Sequence, residues 1–172
     1  DAANPKVVDR AQSLGWTFEP SGHPVEFLSL SGTLGAQVRA TVHSFGPLLL
    51  GKVLDLNETQ TSILALVFKY CDDNDLPLLD LKDLATTLKF LSSDDGKAIL
   101  EDYGGMSTAS VGVLLRSIVV LEQEGADVFF GEPEFDVHDL LRTTTDGQGV
   151  ISILELPDRE YKAGFVTDIE QE

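Results

Sequence analysis

The chain has 172 residues, 42% of them hydrophobic, a length that suits one domain burying about two thirds of its unfolded surface in a core that needs no staples. Twelve basic residues against 29 acidic ones give a net charge of −17, which excludes a phosphate-neutralising surface for nucleic acid and favours a basic partner or basic neighbouring domain. No apolar run approaches the roughly 18 residues of a membrane span, and the single cysteine, Cys71, excludes an internal disulfide and fits a reducing cytosol.

In chain order, Pro5 opens a short helix in residues 1–15, closed by Gly15 as a left-handed cap. Residues 25–30 form a β-prone run, and residues 37–43 alternate apolar and polar side chains. The two read as strands of a β-hairpin joined by a glycine-containing turn. Residues 45–91 carry the clearest punctuation. Asn57 with Gln60 makes a capping box, so a helix starts at Glu58 and buries Ile63, Leu64, Leu66, Val67, Tyr70 and Cys71 on one face. The acidic run 72–75 and Pro77 end it, and Asp80 with Asp83 caps a second helix through Leu81, Leu84, Leu88 and Leu91. Together they predict an αα-hairpin.

Residues 92–96 read as a loop or cap before a short helix over 97–102, which Gly104 and Gly105 stop. Ser107 caps a longer helix over 108–124, whose Val111, Leu114, Leu115, Ile118, Val119 and Leu121 form a wide apolar stripe ending at Gly125. Phe129 to Pro133 is a turn, and Asp136 with Asp139 caps a short helix to Arg142. Residues 150–154 are an almost continuously apolar strand of the kind buried on both faces, expected in one sheet with residues 25–30. The fold expected is mostly α with a small β component. It comprises an N-terminal helix and β-hairpin (1–44), a helical subdomain (45–145), a sheet strand (146–156) and a tail of unassigned origin (157–172).

No active site assembles from these residues. Gly51-Lys52 lacks the earlier glycine and the following hydroxyl of a phosphate loop, since position 53 is valine. Residues 72–83 have the length of a calcium loop, but Leu76 and Pro77 stand where an oxygen ligand and the turning glycine belong. His23, His43 and His138 show no paired metal spacing, and Cys71 on an apolar helix face reads as a buried inert thiol. Glu122, Glu124, Glu132, Glu134 and Asp136 could supply a carboxylate pair, though a solvated acidic loop is the plainer reading. No catalytic, cofactor-binding or metal-binding residue is therefore assigned. Arg39, Arg116 and Arg142 stand out because basic residues are scarce; ion pairing is their default, and reaching a neighbour's nucleotide in trans the sharper alternative.

Seven blocks in order carry a family resemblance: GHPV at 22–25, VRATV at 38–42, GPLLLGKVLDLNETQ at 46–60, LPLLDLKDL at 76–84, YGGMSTASVG at 103–112, LEQEGADVFFGEP at 121–133 and DGQGVISIL at 146–154. Over residues 17–156 the sequence resembles the bacterial HerA-like P-loop ATPases, relatives of helicase and DNA-translocase motors. The resemblance implies a RecA-like, α/β parent and makes this piece a helical insertion with flanking strands, placed after the Walker A loop and before the Walker B Asp-Glu. Neither motif is present in the chain. It further implies that ATP and Mg2+ belong to the parent, and that partners are the rest of that ATPase and further copies in a homo-oligomer. The start at Asp1, with neither methionine nor signal peptide, is what an excised piece of a cytoplasmic protein would show. In the tail, YKAGFVTDIE at 161–170 resembles an N-terminal stretch of SUF-type iron–sulfur assembly scaffolds, without any cysteine cluster. The reading of another class is an autonomous acidic interaction or oligomerisation module using an apolar surface at Phe129, Phe130 and Leu48 to Leu50.

Overall fold

The computed structural model describes residues 4–100 and 104–155. Along them run α1 (Pro5–Ser13), β1 (Val25–Ser29), β2 (Ala36–Gln37), α2 (Val42–Val53), α3 (Glu58–Asp73), α4 (Leu81–Ser92), α5 (Asp94–Leu100), α6 (Thr108–Gln123) and β3 (Ile151–Glu155). Single 3-10 segments lie at Ala126–Val128 and Val137–Leu141. The tail assigned to 157–172 and the end of the helix expected over 97–102 fall outside the described residues. The chain divides into two compact units, Asp1–Glu26 with Val137–Ile153 and Phe27–Asp136 with Leu154–Glu172, the described residues of which are treated separately.

In the smaller unit, α1 begins as the sequence predicts. Asn4 Oδ1 accepts from the Lys6 amide at 3.0 Å, Pro5 occupies the first helical position, and Gly15 follows at φ 73°. The short helix expected up to Arg142 is a 3-10 segment, Val137–Leu141.

In the larger unit, α2 is two helical pieces joined at Gly46. Thr41 Oγ1 accepts the Ser44 amide at 3.1 Å to start the first piece, Gly46 breaks it at φ 77°, and Pro47 restarts it with a φ suited to a first turn. The α3 capping box is complete in both directions, with Asn57 and Gln60 exchanging bonds of 3.0 Å. Asp80 and Asp83 do the same for α4. These boxes fix where each helix starts, but the αα-hairpin expected of α3 and α4 does not form a packed pair: α3 packs against α2 and α6, and α4 against α5 and α6. Leu50, Leu64, Leu84, Leu88, Leu114, Ile118 and Phe130 are fully buried there.

Five expectations are corrected. β1 and β2 pair parallel, Leu28 opposite Ala36 and Ser29 opposite Gln37, so they form no hairpin. The strand expected over 37–43 shrinks to two residues because its partners change. The Val38 amide still donates to Ser29 O at 2.9 Å, but the Ala40 amide donates to Phe129 O at 3.1 Å and the Gly131 amide to Ala40 O at 2.9 Å. α5 begins at Asp94, before Lys97, since the Ser93 hydroxyl accepts the Gly96 amide at 3.2 Å; Ser107 at the start of α6 makes no side-chain cap bond. The sheet has the order β2-β1-β3, which joins residues 25–30 and 150–154 as expected, but β3 is not covered on both faces, for Ile151, Ile153 and Leu154 are all exposed.

Candidate functional site

In the larger unit a cleft of about 580 Å³ lies where the N-terminus of α2, the C-terminal end of α3 and the loop after α6 converge. Its apolar side is Leu76, Pro77 and Leu79, and its polar side carries His43, Asp72, Asp75, Glu132 and Glu134. His43 Nδ1 lies 3.5 Å from Asp72 Oδ1, and the Thr41 hydroxyl donates to Glu134 Oε2 at 3.3 Å. Thr41 is already committed as the α2 cap, and Cys71, on the cleft wall, is buried, which pushes its thiol above the usual range. No nucleophile is paired with a base there. Among the described residues no group of three or more His, Cys, Asp or Glu is arranged to hold a metal ion.

Of the acidic cluster, only Glu132 and Glu134 border this cleft; Glu122 and Glu124 stand on or beside α6 at other hollows. The carboxylates of the would-be calcium loop are dispersed as well, with Asp73 on Lys69, Asp72 near His43, and Asp80 and Asp83 in the α4 cap. Gly51 and Lys52 lie within helix α2, where no loop exists to cradle a phosphate.

The three arginines are placed quite differently. Arg39 is half-buried and holds the loop after α6, its Nη1 donating to Glu132 O at 2.8 Å and its Nη2 to Phe130 O at 3.2 Å, while Nε is buried without a partner. A Cβ on Gly131 would come within 2.5 Å of Nη2, and Gly131 sits at φ 135°, so the clamp requires glycine there. Arg142, in the smaller unit, donates from Nη2 to Glu26 Oε2 and from Nε to Asp139 O at 2.8 Å. The Ser152 hydroxyl, donating at 2.7 Å, and Arg142 together hold the Glu26 carboxyl below its usual range. Arg116 is exposed on α6, beside a hollow of about 370 Å³ that also takes in Val53, Asp55, Val120 and Glu124. Its guanidinium makes no hydrogen bond or ion pair with a described residue.

The apolar surface expected at Phe129 and Phe130 is overturned. Phe130 is 1% exposed, and both rings pack edge-to-face with each other and with Phe45, at centroid distances of 5.1, 5.3 and 6.0 Å. Leu50 is buried as well, and of that surface only Leu48, at 72%, stands well exposed.

No curated protein and no solved structure matches the chain. The family model described as helicase HerA-like C-terminal matches residues 1–163, nearly the whole sequence and every element described above. The chain therefore belongs to the helicase HerA-like C-terminal family.

Proposed function

We propose that this chain is the helical part of a HerA-like ATP-driven motor, lying between the two nucleotide-binding motifs of a RecA-like core. The family match over residues 1–163 carries this reading. The exposed apolar residues of β3 support it, because strands of α/β sheets are normally covered and a larger parent sheet or layer would cover these. ATP and Mg2+ belong to the parent, whose charge-stabilising loop, lysine and magnesium carboxylate phosphoryl transfer requires. The chain's part is to shape the motor and to make contacts between its copies in a cytoplasmic homo-oligomer, leaving any DNA contact to other segments. Arg116 is the arginine free to act in trans, since Arg39 and Arg142 are engaged within their own units.

Light scattering of the purified chain, with and without Mg2+ and an ATP analogue, tests this together with a turnover assay. A particle whose mass ignores nucleotide, and no ATP hydrolysis, are expected. Saturable ATP turnover by the pure chain, or nucleotide-dependent assembly, would overturn the proposal.

A further inference from the structure

A groove of about 340 Å³ runs between α4 and α6 in the larger unit, apart from the cleft. Ala85 of α4 and Leu115, Ile118 and Val119 of α6 give it an apolar floor, and Val119 is 50% exposed. Lys82 and Lys89 stand on the α4 edge and Glu122 on the α6 edge. The two lysines are one heptad apart on a single face, about 10 Å along the axis. Neither ammonium group bonds or pairs with any described residue. Within α4 the positions three and four residues from them are Ala85, Thr86 and Ser92, none a carboxylate, while Lys82 also borders a smaller hollow with Asp80, Glu122 and Asp127 without pairing with them.

In a chain with 29 acidic residues, Lys82 and Lys89 thus both stand unpaired with any described residue on the rim of one apolar groove. We infer that this groove docks an amphipathic helix of a partner protein, its apolar stripe on Val119 and Leu115 and two carboxylates one heptad apart on Lys82 and Lys89. Helix-in-groove recognition uses such i, i+3, i+4, i+7 anchors. Glu122 on the opposite edge orients the partner, since an acidic residue there would meet a like charge. Polyphosphate ligands fit poorly, because their charge is not confined to one edge. The inference goes beyond the motor reading and does not depend on it.

The test measures fluorescence anisotropy of two labelled helical peptides with the same leucine stripe, one with glutamates along one edge and the other with lysines. The chain's net charge of −17 favours the lysine peptide, so a preference for glutamate can come only from a local cationic edge. Two exposed ion pairs predict binding of the glutamate peptide about tenfold tighter at low salt, an advantage that molar salt removes. Lys82→Glu with Lys89→Glu, on the solvent face and checked for fold by circular dichroism, inverts the order of the two peptides. Val119→Asp weakens both. Absence of binding, equal affinities, an order unchanged by the charge reversal, or displacement of the glutamate peptide by a thymidine oligonucleotide would overturn the inference.

Discussion

Glu26 shows how much of a residue's behaviour comes from its neighbours. Its carboxylate takes a hydrogen bond from Ser152 and an ion pair from Arg142, which favour the charged form and lower its pKa from the ordinary 4.5. A depressed native pKa contributes stability at pH values above the unfolded value, and that contribution is lost as pH falls through the native value. Glu26→Gln is therefore expected to lower the thermal midpoint at neutral pH, with wild type and variant converging only as the pH falls below the ordinary carboxylate range. Melting curves across that range check it. Equal midpoints at pH 7 would show the ion pair to be without effect. Arg39 makes the same point differently, for an arginine conspicuous by its scarcity is spent on two loop carbonyls 91 and 93 residues away.

At the scale of elements, local chemistry decides where helices start. Asn57 and Gln60, like Asp80 and Asp83, satisfy amides that the first helical turn leaves without partners, using residues three apart. This is why α3 starts at Glu58 and α4 at Leu81, the very positions those boxes predict. Asn57→Ala should cost about 1 kcal/mol in denaturant unfolding without changing the fold. A loss under about 0.3 kcal/mol would mean that tertiary packing of α3 alone holds its first turn. Strands follow no such local rule. Residues 37–43 alternate as a strand should, yet their backbone takes partners first from β1 and then from the loop around Phe129 and Gly131, which ends the ladder after Gln37. The apolar run 150–154 resembles a covered strand, yet its Ile151, Ile153 and Leu154 are exposed here, since burial depends on what lies over a strand and not on its own side chains.

For the whole molecule, the family assignment and the arrangement of the arginines meet in one prediction. If Arg116 reaches the nucleotide of a neighbouring copy, Arg116→Ala in the full-length motor should lower ATPase kcat by about a thousandfold or more, with oligomer mass unchanged. A loss of only a few-fold would assign Arg116 to ordinary surface contacts. Arg142→Ala should leave kcat near wild type, because its guanidinium is engaged by Glu26 and Asp139 within its own unit.

The sequence alone determined the net charge, the helix starts, the apolar stripes of α3, α4 and α6 and the HerA-like family, because these rest on neighbours within a few residues or on ordered blocks of residues. Only the tertiary structure decided which charged groups are free. It paired Arg142 with Glu26, turned Arg39 onto loop carbonyls, buried Phe129 and Phe130 against Phe45, and left Lys82 and Lys89 open beside an apolar groove. The reason is physical. Helix signals act over one turn, whereas burial and ion pairing depend on residues far apart in the chain, 116 positions for Arg142 and Glu26, a distance no local pattern encodes.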